Sequence, residues 1–433
     1  MKSKTNNKIL GLKCVYCQKE YGIREVAYVC PACKNNLDVV YDYPEIKKQF
    51  TRKMLAENNN LNQWRYWDIL PFESAFQESC ERLPTLPIGW THLHKTTNFG
   101  KKYGFENLFF KDDTKTPSGS FKDRASSALV VKGQELKVKT ITTASTGNAG
   151  CALACVCANL QFPCVIFVPE TAPKAKIAQL LIFGAKVVSV KGTYDDAFDL
   201  SLKASEEFGW YCRSTGYNPY TREGKKTAAL EICEQLGWKT PDKVFVPIGD
   251  GNMISGIWKG FKDFYELGFI NKLPQLIGVQ SNKSNAISKA VQTYEKNHSS
   301  SKLDISKIKI EPVNATTIAD SISVDLPRDG IAAVRAVIES QGCVVEVEDQ
   351  DILNAIKTIA QTEGIFTEPA GSTSIAGLMK MIEMKKADSS QKIVCLVTGN
   401  GLKDTQSAMK VAGEPISIKP EMEELRKISK NWL

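Results

Sequence analysis

Short apolar runs alternate with longer stretches of helical spacing over much of this chain, and run length separates the two kinds of element. Residues 107–112, 140–144 and 394–397, with further runs starting near Val165, Val187, Lys243, Leu276, Val344 and Lys392, are rich in Val, Ile and Phe and predict strands. Between them lie helical patterns, among them 151–160, built of small residues, and 255–267. Strands separated by helices at this interval predict βαβ units and therefore parallel sheets. No internal repeat or low-complexity segment interrupts the alternation. In open sheets of this kind ligands bind beyond the carboxyl ends of the strands, so the turns found there come first.

Four of those turns carry chemistry. Pro117-Ser-Gly-Ser-Phe-Lys122-Asp-Arg124 follows the 107–112 strand and opens a helix, where burial can lower the pKa of the Lys122 amine and suit it to a Schiff base with an aldehyde. Ser145-Thr146-Gly147-Asn148-Ala149 follows the next strand, and its backbone N–H groups and helix start suit a carboxylate. Gly249-Asp250-Gly251-Asn252-Met253, again between strand and helix, reads as a phosphate cradle. Thr398 ends the 394–397 strand with a hydroxyl able to face a ring nitrogen. Singly, a lysine at a helix start is most often a surface residue and a glycine-rich turn only a tight connection. In this order and company they describe the contacts of one cofactor.

Thirteen cysteines divide into two groups. Cys14-x-x-Cys17 and Cys30-x-x-Cys33 form a close quartet whose spacing suits tetrahedral zinc, with a redox pair or a ribbon lacking its metal as the alternatives. The others sit singly in apolar runs; Cys151, Cys155 and Cys157 read as small core residues. Both groups fit a reducing, cytoplasmic compartment. His92, His94 and His298 show no metal spacing with acidic partners, so a catalytic histidine is not expected.

Composition narrows the class further. With 433 residues the chain exceeds the ~250–300 at which one core usually divides, so two or three domains are expected. The net charge of +8 is dispersed, without the block of like charges of a nucleic-acid or membrane arm. Apolar runs stay short of the ~20 residues of a membrane span, and residues 1–12 carry lysines without an apolar leader core.

The motifs PSGSFKDRAS around Lys122, TASTGNAG around Asn148, GDGNMISG at 249–256, EPAGS at 368–372 and TGNGLKD at 398–404 resemble the fold type II family of pyridoxal-phosphate (PLP) enzymes, and within it the threonine synthases. The resemblance spans roughly residues 85–410. It implies that Lys122 carries the cofactor, that Asn148 bonds its phenolic oxygen, that Gly249, Gly251, Asn252 and Met253 hold its phosphate through backbone N–H groups, and that Thr398 meets the pyridine nitrogen, with Ser372 as a second choice. The Asp250 side chain is then expected to point outward or to cap a neighbouring N–H. The implied substrate is O-phospho-L-homoserine, its carboxylate on Ser145, Thr146, Gly147 and Asn148 and its phosphate on a set drawn from Lys115, Asn218, Arg222 and Lys226. Threonine synthases commonly carry Asn-Pro-His-Arg, whereas Asn218-Pro-Tyr-Thr-Arg222 shifts the arginine by one place, a rotation of about 100° on a helix.

The expected architecture is α/β: a zinc-ribbon-like module (1–43), a linker (44–85), a large PLP-binding domain of two pieces (86–128 and 232–420), a small mobile domain (129–231) and a tail (421–433). A homodimer is the assembly to be tested. The alternatives are a serine/threonine dehydratase or a phosphoserine-using synthase of the same fold, and a zinc-ribbon binding protein on a degenerate PLP fold, against which the intact Lys122, Asn148 and Thr398 argue.

Overall fold

The computed structural model describes residues 8–73, 76, 82–298, 303–430 and 432; the first seven residues of the lysine-bearing start and residues 74–75 and 77–81 of the expected linker lie outside these. Three sheets are present among the described residues. The first is a small antiparallel one, in which β1 (Ile9–Cys14) lies between β2 (Glu20–Tyr21) and β3 (Leu37–Tyr41).

The largest sheet has six strands. β4 (His92–Lys95) forms one edge, antiparallel to β5 (Leu108–Asp112); β13 (Ile393–Val397), β10 (Lys243–Pro247), β11 (Gln275–Ser281) and β12 (Cys343–Val347) follow in parallel. The antiparallel β4 departs from the purely parallel expectation. Its His-Leu-His-Lys sequence lacks the β-branched run of a buried strand, because an edge strand is half solvated. The third sheet is all parallel, in the order β8 (Lys186–Val190), β7 (Cys164–Pro169), β6 (Ile141–Ala144), β9 (Tyr211–Cys212). Strands covered by helices on both faces, such as β7 and β13, are buried at every residue, which explains their unbroken apolar runs.

Two long helices, Lys122–Glu135 and Tyr220–Gln235, pack against each other, and the expected domain limits at 129 and 231 fall inside them. They share a fully buried ionic network. Arg124 Nε donates to Asp113 Oδ1 at 2.8 Å and Arg124 Nη2 to Glu231 Oε2 at 2.8 Å, while Lys111 Nζ stands 2.6 Å from Glu231. These pairs join β5 to both helices and so fix the frame from which Lys122 projects. The stretch expected as a linker is packed too: Trp64, Trp67 and Phe72 cluster on Ala128 and Val131, and Arg65 pairs with Glu234 at 2.6 Å.

Candidate active site

Every turn singled out above lies at the carboxyl end of a strand, and the loops after β5 and β13 are zipped together. Phe121 N–H donates to the Thr398 carbonyl at 2.8 Å and Asn400 N–H to the Gly119 carbonyl at 2.9 Å. Gly119 supplies the left-handed φ of +75° that the turn requires, and Asp123 accepts the Ser118 N–H at 2.8 Å. Lys122 then opens its helix, half-buried, with its pKa lowered by desolvation and by the Arg213 guanidinium. An amine whose pKa is lowered in this way is more readily both a nucleophile and a base.

Lys122 lines a cavity of about 1130 Å³ with Ser145, Thr146, Gly147, Asn148 and the whole Gly249-Asp250-Gly251-Asn252-Met253 turn. The helices Asn148–Leu160 and Asn252–Glu266 start here without any side-chain cap, leaving N–H donors for an anion. Gly251 has φ +88°, and a Cβ there would stand 2.8 Å from the Asp329 carbonyl oxygen, so the backbone comes close only because no side chain intervenes. The Asp250 carboxylate accepts the Arg328 N–H at 3.2 Å while still lining the cavity. Asn148 Nδ2 donates to Glu368 Oε1 at 2.7 Å and to Ser321 Oγ at 3.1 Å, and burial pushes the Glu368 carboxyl up to about 7. Thr398 is buried beside the Lys122 turn, where its carbonyl accepts the Phe121 N–H. The Ser372 hydroxyl, buried in its helix, lies within hydrogen-bonding distance of the carbonyls of Ile352 and Pro369, at 3.1 and 3.0 Å.

The set expected for a second phosphate is corrected by the geometry. Asn218 caps its own helix, accepting the Tyr220 N–H at 3.0 Å and donating to the Cys212 carbonyl at 2.9 Å. Arg222 is buried between Asp38 and Asp329. Lys226 is paired with Glu223 and Asp263 and stands over the Tyr41 ring. Lys115 is a surface residue 3.8 Å from Asp112. None of the four lines the cavity.

Two other cations do. Arg213 follows β9 and is fully buried; its Nε donates to Ser126 and its Nη1 to Thr215 at 2.6 Å, while Nη2 has no partner. Lys225 Nζ donates to Asn252 Oδ1 at 2.7 Å, and its pKa is driven well down by burial, with the charges of Lys122 and Arg213 adding to this. The signal for Arg213 was its place at a strand's carboxyl end. Nothing in the Lys225-Lys226 pair said which lysine faces inward, since a helix turns by about 100° per residue.

The four N-terminal cysteines converge, all their sulfurs lying within 4.8 Å of one another, with Cys14 and Cys33 at 3.4 Å and Cys17 and Cys30 at 3.5 Å. This group can hold a metal ion.

The uncapped helix starts, the glycine cradle and the unpaired Arg213 nitrogen fit an aldehyde that carries a phosphate. The match to known proteins agrees. Residues 84–399 match the model of the family described as "Pyridoxal-phosphate dependent enzyme". The chain is 38% identical to threonine synthase of Methanocaldococcus jannaschii over 96% of its own length and 99% of that protein. It is 36% identical to threonine synthase of Methanosarcina acetivorans, covering 96% and 97%. Its fold is similar to that of a processed threonine deaminase isoform from Solanum lycopersicum, with a TM-score of 0.62 and 24% identity over 75% of this chain and 88% of that one. The chain thus belongs to the pyridoxal-phosphate dependent enzymes and, within them, to the threonine synthases.

Proposed function

We propose that this enzyme converts O-phospho-L-homoserine and water to L-threonine and phosphate. The observation that carries this reading is the Arg213 guanidinium, buried in the same cavity as Lys122 with Nη2 unpaired and Lys225 nearby. Arg213 and Lys225 line the cavity beside Lys122, and this basic set together with the uncapped helix starts offers donors for more than one anion. A cofactor phosphate on the Gly249–Met253 backbone accounts for one. A substrate phosphate on Arg213 and Lys225, with the Ser214 and Thr215 hydroxyls, accounts for the other, and an unphosphorylated hydroxy amino acid would leave that second site empty.

The roles follow from placement. When bound, pyridoxal phosphate supplies an electron sink for charge developing next to the substrate's amino group. Lys122 Nζ, its pKa lowered by burial, is the group that takes the proton from the substrate Cα and returns protons later. Asn148 and the N–H groups of its turn orient the substrate carboxylate and the cofactor's phenolic oxygen. Glu368 holds or releases a proton beside Asn148 near neutral pH. Thr398, as a neutral hydroxyl, is the proposed partner of the ring nitrogen. Zinc on Cys14, Cys17, Cys30 and Cys33 is the metal whose preferred ligands this group offers. Twelve free cysteines among the described residues suit a reducing, cytoplasmic setting. No helix among the described residues is long and apolar enough to cross a membrane.

A steady-state substrate panel tests the reading. O-phospho-L-homoserine is expected to be turned over with release of phosphate and threonine far faster than serine or threonine is deaminated. Faster deamination of unphosphorylated serine would replace this reading with a dehydratase.

A further inference from the structure

The cysteine module forms part of the cavity wall. Asn35 and Asn36, which follow Cys33, both line it. Their backbone is tied to both cysteine turns: Cys30 N–H donates to the Asn35 carbonyl and Val15 N–H to the Asn36 carbonyl, each at 2.9 Å. The Asn36 side-chain amide then crosses to the carbonyl of Gly216. Gly216 has φ +73° and lies in the turn whose preceding residues, Arg213, Ser214 and Thr215, face the cavity. The same module grips the turn's two ends through Tyr28, which accepts the Cys212 N–H at 2.9 Å and stacks on Tyr217 at 4.8 Å between ring centres.

We infer that Asn36 is a positioning residue for the substrate phosphate, and that a metal ion on the four cysteines fixes its place. The inference rests on the phosphate reading of Arg213 and Lys225 given above. Four sulfurs this close offer a shared cation its full ligand set, and small ribbons of this kind depend on such a cation for their fold. Loss of the metal frees the two cysteine turns to part, and both hold the Asn35–Asn36 backbone. The Gly216 carbonyl then loses its donor and the Arg213–Thr215 segment its fixed distance from Lys122. The consequence falls on binding of the phosphate group rather than on proton transfer at Lys122.

The test uses the cofactor-loaded, zinc-loaded full chain, with inorganic phosphate as a competitive probe. Asn36→Ala is expected to raise KM for O-phospho-L-homoserine and the inhibition constant of inorganic phosphate together, by roughly two- to tenfold, the loss of one hydrogen bond, with kcat changing less. Zinc content stays at one per chain, and Asn36→Gln, which keeps the amide, recovers part of the loss. Stripping zinc with a chelator from the parent is expected to shift both constants in the same direction, and to add little in Asn36→Ala, since both act through one link. Unchanged constants in Asn36→Ala, or a zinc effect that adds in full to that of the variant, overturn the inference. A parent enzyme that turns over the substrate but that inorganic phosphate fails to inhibit overturns the phosphate assignment, and this inference with it.

Discussion

Lys225 and Lys226 are neighbours on one helix in opposite surroundings: Lys225 donates to Asn252 Oδ1 at 2.7 Å on the cavity wall, whereas Lys226 lies 2.6 Å from Glu223 and 2.7 Å from Asp263 in the interior. Substituting each by methionine therefore separates binding from folding. Lys225→Met is expected to raise KM for the phosphorylated substrate about ten- to a hundredfold, the loss of one charge-assisted contact, with little change in the urea midpoint. Lys226→Met leaves the buried Asp263 and Glu223 with only the more distant Lys259 as charge partner, 3.8 and 3.6 Å away, and is expected to cost up to about 3–5 kcal/mol in urea unfolding. Equal effects of the two on KM would show that neither environment matters.

Lys122 lines the cavity with the Ser145–Asn148 loop and the Gly249–Met253 turn. Lys122→Ala is expected to abolish turnover while circular dichroism and the unfolding transition stay near those of the parent. The visible absorbance of the purified protein and its bleaching by borohydride disappear with it. A borohydride-reducible adduct mapped by mass spectrometry to another lysine would remove Lys122 from its role.

Glu368 gives the cofactor-free protein a stability that depends on pH. Its pKa is raised from the ordinary 4.5 to about 7 by burial, so the folded state binds the extra proton. The contribution is therefore fully present below about pH 4.5, fades as pH rises through about 7, and amounts to on the order of 3 kcal/mol. Glu368→Gln is expected to remove this part of the pH slope in urea unfolding and to be relatively more stable than the parent at pH 8. A slope identical to the parent's would mean that Glu368 ionises normally.

At Gly251 a side chain meets both backbone strain and a wall, since φ is +88° and a Cβ would come 2.7 Å from Ala333 Cβ. Gly251→Ala is expected to cost about 1–2 kcal/mol in local conformation and to weaken cofactor binding tenfold or more, because the phosphate cradle must shift. Equilibrium dialysis against pyridoxal phosphate measures it.

The succession of strands and helices along the chain, the turns at the strands' carboxyl ends and the grouping of the four cysteines are legible in the residues alone. Each is local: an apolar run of Val and Ile, a glycine at a left-handed turn and a two-residue gap between cysteines act over a few positions. Lys122, Asn148 and the Gly249–Met253 turn could be found for that reason. What stayed hidden depends on residues far apart in the chain. Whether Lys225 or Lys226 faces the cavity is decided by where Asp263 and Asn252 bring their charge and amide, since a helix exposes every direction within two turns. Arg222 reads as a ligand until Asp38, from the cysteine module, and Asp329 enclose it. Asn36 is unremarkable in sequence, and only the docking of that module against the turn at Gly216 makes it part of the site. Local chemistry chose the cofactor machinery; long-range packing of buried charge chose which cations remain free to meet the substrate.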